Sequence, residues 1–212
     1  MTTKLIIFDL DGTLLYTLED LKNSVNYALK CCNLPTRTLE EVRNFVGNGI
    51  YKLIERAVGD KKEYFKECFK IFKEHYDINC NNNTRPYEDI IEVLEKLKKK
   101  NIYLAILSNK AQSAVKTLSD IYFKGLIDYV QGQNDNFKTK PDPKSTCFII
   151  EKFNVKKEET IFIGDSEVDI LTAKNAGIKC ISVSWGYKSR EFLAENNAEI
   201  IIDNPKEIFN FL

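Results

Sequence analysis

Beyond residue 85 the chain alternates short apolar, β-branched runs with stretches of helical period, and this alternation constrains the fold more than any other feature. Tyr103–Leu107, Thr160–Ile163 and Cys180–Val183 read as buried strands, with shorter ones at Asp128–Val130 and Glu199–Ile202. Helical patterns cover Ile90–Leu97, Ser113–Tyr122, Pro143–Phe153 and Val168–Ala176. Strands separated by helices predict an α/β core, a mostly parallel sheet with helices on both faces. Near the start of the chain, Lys4–Phe8 is a further apolar strand that stops at Asp9-Leu10-Asp11-Gly12-Thr13.

Between these parts, Thr17 to Cys80 reads as entirely helical. Leu18, Leu21, Val25, Ala28 and Leu29 share one helical face, and Thr38 with Glu41 forms a capping-box pattern. Gly47-Asn48-Gly49 interrupts the periodicity, which Ile50, Leu53, Ile54 and Ala57 restart. Phe65, Phe69, Phe72 and Tyr76 recur at helical spacing, the pattern of a core stripe. The polar run Asn81–Thr84 before Arg85-Pro86 marks a linker. The expected organisation is a core of residues 1–16 and 82–212, with residues 17–81 as an all-helical insert after the first strand.

Composition excludes several functions. Lys plus Arg and Asp plus Glu each number 31 in 212 residues, which argues against a general electrostatic grip on nucleic acid while leaving room for a small local basic site. No apolar run approaches the roughly 18 residues of a membrane span, and Leu5–Phe8 is too short for a secretory core. The six cysteines form no C-x-x-C pair and suit free thiols in a reducing cytosol. One histidine, His75, argues against histidine metal sites and a Ser-His-Asp hydrolase; its helical position predicts an exposed ring.

Sites in parallel sheets form at the carboxyl ends of strands. There the sequence places Asp9, Asp11 and Thr13 after the first strand and Ser108-Asn109-Lys110 after the second. Gly164-Asp165-Ser166 with Asp169 follows the Thr160–Ile163 strand, and Lys140 precedes Pro141-Asp142-Pro143. Four carboxylates in one crevice repel one another, and a divalent cation relieves this. Oxygen donors without histidine or thiolate suit Mg2+, which leaves Lys140 and the hydroxyls of Thr13 and Ser108 to hold phosphate oxygens. Asp9 and Asp11 are two positions apart at a strand end, so their side chains leave on the same side and can divide the roles of ionised nucleophile and proton donor.

These four segments, in this order, resemble the motifs of the haloacid dehalogenase superfamily, and the Phe45–Gly49 segment with the helical insert resembles its phosphoglycolate phosphatase-like members. The resemblance implies a Rossmann-like core with a mobile helical cap hinged near Leu15–Leu18 and Asn81–Thr84. It implies that Asp9 attacks phosphorus and forms an aspartyl-phosphate, and that Asp11 serves as acid and then base. Lys140 would stabilise charge, while Thr13, Ser108 and the backbone near Asn109 would bind phosphate. Mg2+ would be held by Asp9, the Asp11 carbonyl and Asp165, supported by Asp169 and Ser166. Gly47, Asn48 and Gly49 would face substrate from the cap. The chain departs from the family pattern at Tyr16 and Glu88, neither of which carries chemistry.

Taken singly, each motif has an ordinary reading: D-x-D-G-T as a solvated turn, Ser108-Asn109 as a turn, Lys-Pro-Asp-Pro as a rigid turn, Asp165-Ser166 as a helix cap, Gly47–Gly49 as a helix break. Lys110 reads as solvated in preference to substrate-binding, and Cys31-Cys32 as small apolar fillers. The conjunction favours a phosphatase of small phosphorylated metabolites, with 2-phosphoglycolate as the first choice of substrate and a sugar phosphate, a nucleotide monophosphate or pyrophosphate as competitors; the oligomeric state, monomer or weak dimer, is left open. A β-phosphoglucomutase-like phosphomutase shares the chemistry, and a phospho-receiver module is the non-enzymatic alternative. A dehalogenase would lack the second aspartate.

Overall fold

The structure, a computed structural model, describes residues 2–134 and 136–212. In chain order the elements begin with β1 (Leu5–Phe8), β2 (Leu15–Tyr16), α1 (Leu18–Cys31), α2 (Leu39–Phe45), α3 (Gly49–Val58), α4 (Phe65–Asn79) and β3 (Arg85–Pro86). They continue with α5 (Ile90–Lys99), β4 (Tyr103–Ala111), α6 (Gln112–Tyr122), β5 (Tyr129–Gln133) and α7 (Lys144–Lys152). The last are β6 (Thr160–Gly164), α8 (Glu167–Ala176), β7 (Lys179–Val183), α9 (Arg190–Glu195) and β8 (Ile201–Ile202). The chain divides into two compact units, one holding the chain up to Leu15 together with Pro86–Leu212, the other Tyr16–Arg85. The short strands β2 and β3 pair where the chain leaves the first unit and returns.

The first unit is built on a six-stranded sheet of order β5-β4-β1-β6-β7-β8. Its pairings are all parallel, with Phe8 opposite Ile106 on one side and Ile163 on the other. This is the α/β architecture that the alternation predicts. Leu5 to Phe8 are buried on both faces, which is why this strand is continuously apolar. Leu5 and Ile7 pack with Ala105, Leu107, Phe162 and the helical residues Ile149, Ile150 and Ala173 in one core. The chain turns to one side of β1 for β4 and β5 and to the other for β6 to β8. The carboxyl end of β1 is therefore the switch point at which a crevice opens.

One strand differs instructively from its expected span. β4 runs on through Ser108, Asn109 and Lys110 to Ala111, with a register shift against β5 between Leu107 and Ala111. The polar triplet resembles a turn in sequence. It stays extended because Asn109 and Lys110 each bond to partners distant in the chain, Lys140 and Asp11.

The second unit is helical, as the periodicity predicts. α1 packs its Leu18, Leu21, Val25 and Leu29 face with α4, whose Cys68, Phe72 and Tyr76 are buried. Phe65 and Phe69 of the aromatic stripe are only half-buried and cluster with Tyr51. The Thr38–Glu41 capping box forms, with the Thr38 N–H donating to Glu41 Oε2 at 2.7 Å. Two expectations fail locally. His75 is half-buried, stacked on Tyr27 at 4.1 Å with Nδ1 3.0 Å from Ser24 Oγ, because α1 lies against its helix. Cys32 is buried but Cys31, one residue earlier at the end of α1, is exposed, since consecutive helical residues face different ways.

Asp20, buried in the first turn of α1, closes this unit. It accepts from Asn83 N and Nδ2 (2.9 and 2.8 Å) and from Thr84 N and Oγ1 (both 2.9 Å). The linker segment Asn83–Thr84 is thereby bound to the start of α1. Each buried donor left unsatisfied costs about 1–3 kcal/mol, so Asp20→Ala should destabilise the helical unit by roughly 2–4 kcal/mol, and Asp20→Asn by less. A lowered midpoint in urea denaturation followed by far-UV circular dichroism checks this.

Candidate active site

The site grows from the turn after β1. The Asp9 N–H still donates to the Ile163 carbonyl of β6 (2.9 Å), so Asp9 leaves the sheet in a fixed direction. The Leu10 carbonyl then gathers the N–H groups of Thr13, Leu14 and Leu15 at 3.3, 3.0 and 2.9 Å, folding the chain back. Gly12 at the tip has φ +83°, and a Cβ there would lie 2.2 Å from Asp165 Oδ2. Only glycine meets both conditions.

Lys140 is the charge centre. Its Nζ lies 2.9 Å from Asp9 Oδ1 and 2.6 Å from Asp169 Oδ1, with the side chain 3% exposed. Its backbone is positioned by Asn109, whose Oδ1 accepts from Lys140 N (2.7 Å) while Nδ2 donates to Lys140 O (3.1 Å). The other Asp169 oxygen accepts from Ser166 N and Oγ at 3.1 and 2.6 Å, fixing the carboxylate at the start of α8. Burial alone would lower the Lys140 ammonium, but the facing carboxylates of Asp169 and Asp9 outweigh it and hold Lys140 above its ordinary value.

The carboxylates are in the opposite position. Burial pushes Asp9 from 3.8 to about 7 against the pull of Lys140, helped by the negative charges of Asp169 and Asp11. Burial likewise raises Asp165 well above its ordinary value, with Asp169 and Asp9 adding to the effect. Oxygens of Asp9, Asp165 and Asp169 all lie within 4.8 Å of one another. Asp9 Oδ1 is fully buried and makes no aligned hydrogen bond, its approach to Lys140 being an ion pair only. Three carboxylates thus face one ammonium, and the donor set is all oxygen. These residues fit a hard divalent cation.

The residues expected to hold phosphate are distributed unevenly. Thr13 is fully buried, and its Oγ1 has no hydrogen-bond partner among the described residues. Ser108 is buried with Oγ accepting from Lys110 N at 3.3 Å. Asn109 spends its side chain on Lys140. Gly47, Asn48 and Gly49 belong to the helical unit, where Asn48 Oδ1 accepts from Arg56 Nη2 at 2.7 Å before α3. Asp11 does not join the carboxylate cluster through its side chain: Lys110 Nζ donates to its Oδ1 and Oδ2 at 2.9 and 3.2 Å. The expectation of a solvated Lys110 is therefore wrong. Extension of β4 carries this residue into the crevice, where its side chain is 2% exposed.

Three contributors escaped the sequence reading. Tyr187 N donates to Asp165 Oδ2 at 2.7 Å, and Trp185 Nε1 donates to the Thr13 carbonyl at 3.0 Å. Gly186 lies between them, and a Cβ there would stand 2.3 Å from Asp165 Cβ and 2.5 Å from the Gly12 carbonyl. Their one signal in the sequence is position, since Ser184-Trp185-Gly186-Tyr187 follows β7 as the aspartate motifs follow β1 and β6.

The haloacid dehalogenase-like hydrolase family model matches residues 6–183. The chain belongs to this family. It is 30% identical over 217 residues to phosphoglycolate phosphatase 1 of Pseudomonas aeruginosa, spanning 97% of this chain and 78% of that protein. It is 33% identical over 219 residues to the phosphoglycolate phosphatase of Haemophilus influenzae, spanning 99% and 98%. A crystal structure of a predicted phosphoglycolate phosphatase from Haemophilus somnus superposes with a TM-score of 0.93 at 32% identity, covering 100% of this chain and 98% of that one. This haloacid dehalogenase-like hydrolase is thus phosphoglycolate phosphatase-like in sequence and fold. No helix among its described residues is long and apolar enough to cross a membrane.

The raised Asp9 has a measurable consequence. With a folded value near 7 against 3.8, its contribution to stability without a cation is intact below 3.8 and is lost as pH rises toward 7. A cation bound to the carboxylates removes that loss. Divalent metal should therefore raise the melting temperature of chelator-treated protein more at pH 8 than at pH 5. Thermal unfolding with and without Mg2+ at both pH values checks this.

Proposed function

We propose that this protein is a Mg2+-dependent phosphomonoesterase for a small phosphorylated metabolite, 2-phosphoglycolate in the first instance. One observation carries the reading: Lys140, Asp9 and the Asp165–Asp169 carboxylates converge at the switch point of the sheet, in a family whose phosphoglycolate phosphatases match the full chain. Asp9, the Asp11 carbonyl and Asp165 would hold the cation, with Asp169 and Ser166 in support. The cation would supply positive charge to the phosphoryl oxygens and keep Asp9 ionised.

The protein groups divide the remaining work. An Asp9 carboxylate oxygen attacks phosphorus as the bond to the ester oxygen breaks, and Asp11 gives that oxygen its proton. Water then attacks the aspartyl-phosphate, Asp11 takes the proton back, and the Asp9–phosphorus bond breaks to release inorganic phosphate. Lys140 holds Asp9 in line and spreads its charge over the transferring group. Thr13 Oγ1, Ser108 and the backbone at Asn109 bind phosphoryl oxygens. The helical unit is the substrate-selecting cap in this proposal, with Gly47, Asn48 and Gly49 as its contact residues.

Asp9→Asn should lower turnover by at least about a thousandfold, and Lys140→Ala by roughly a hundred- to a thousandfold, with folding retained by circular dichroism. The decisive assay is phosphate release from a panel of phosphometabolites with Mg2+ and with chelator. Release that persists in chelator, or full activity of Asp9→Asn, would overturn the proposal. Return of the phosphoryl group to a second position of the same sugar, without phosphate release, would make the protein a mutase.

A further inference from the structure

Lys110 is a buried cation that the hydrolytic scheme leaves without a task. Its ammonium is bonded to both oxygens of Asp11, and the two side chains are 2% and 14% exposed. Lys140 has its own counter-charges in Asp9 and Asp169, so the two lysines serve different carboxylates. The Lys110 backbone is held in β4: its N–H donates to Ser108 Oγ, and a Cβ on Gly132 of the neighbouring strand would lie 2.9 Å from its carbonyl oxygen. A charge fixed this firmly beside the proton-donating carboxylate is placed with respect to one atom of the substrate, the ester oxygen that Asp11 must reach.

We propose that Lys110 is a specificity-determining residue for an anionic leaving group, namely a carboxylate on the carbon next to the ester oxygen. The substrate class is the phosphorylated 2-hydroxycarboxylates. This rests on the phosphatase reading and deepens it. Before substrate binds, Asp11 occupies the place of that carboxylate. An ammonium has three donors. As the substrate carboxylate takes one of them, Asp11 gives up its two-oxygen grip and turns an oxygen to the ester oxygen. An uncharged leaving group cannot make this exchange, and Asp11 stays paired with the lysine. No bond other than hydrogen bonds changes in this step.

The test compares 2-phosphoglycolate with 2-hydroxyethyl phosphate, which carries a hydroxymethyl group in place of the carboxylate. Steady-state kinetics in excess Mg2+ would be measured for the wild type, Lys110→Met and Lys110→Arg. The wild type should prefer the carboxylate substrate. Lys110→Met should reduce the ratio of the two kcat/KM values by at least about tenfold, chiefly through KM for 2-phosphoglycolate, and Lys110→Arg should retain most of the preference. An unchanged ratio in Lys110→Met, or equal losses on both substrates, would show that Lys110 only supports Asp11 and would overturn the inference. A wild type that hydrolyses both esters without preference would do the same while leaving the phosphatase reading intact. A wild type that hydrolyses neither would remove both. If Lys110→Met fails to fold, the wild-type preference and its retention in Lys110→Arg decide.

Discussion

The ammonium of Lys140, buried between Asp9 and Asp169, is the interaction on which the rest of the site depends. Charges this deeply desolvated are tolerated only with close partners, and the arrangement is over-supplied with negative ones. The protein therefore sets a single ammonium against the three buried carboxyl groups of Asp9, Asp165 and Asp169. That imbalance is not a defect of packing. It is held in place by bonds from its surroundings: Ser166 on Asp169, Tyr187 on Asp165, and Asn109 on the Lys140 backbone. The surroundings bind rigidly what would otherwise repel itself apart, and a divalent cation is the natural complement.

The sheet makes this possible at little conformational cost. Side chains on β1, β4 and β6 leave the same edge because the three strands are parallel and in register through Phe8, Ile106 and Ile163. The glycines at 12 and 186 let backbone approach Asp165 where any side chain would displace it. Lys110 and Lys140 then reach the crevice by different routes, one by strand extension and one from the segment before α7. Two like charges are kept apart in function by the carboxylates each one faces.

Much of this was legible in the sequence, and the reasons are specific. The alternation of β-branched runs with helical periods predicts the parallel sheet because period and burial are local properties. The carboxylates were found because they follow strands directly. Lys110 was misread because a polar triplet after an apolar run resembles a turn, and only a tertiary bond to Asp11 shows it to be strand. Tyr187 acts through its backbone N–H, and no side chain advertises that. Gly186 shows the same limit, since its value lies in what it lacks. Asp20, a first-turn helix residue by pattern, binds Asn83 and Thr84 sixty-three and sixty-four positions away.

The strand order has a consequence for how the chain is made. β1 precedes both its neighbours by many residues, since Leu5 pairs with Tyr103 and with Thr160. The helical unit is built from contacts between nearer residues and lies between these events. During synthesis it can close while Leu5–Phe8, wholly apolar, still waits for β4. Asp9 gains its counter-ion only once residue 140 has followed, and Asp165 gains its backbone donor only at residue 187. A nascent chain shorter than this carries the aspartates in water, separate and ordinary. Their unusual chemistry is acquired in steps, as residues 140 and 187 join the fold.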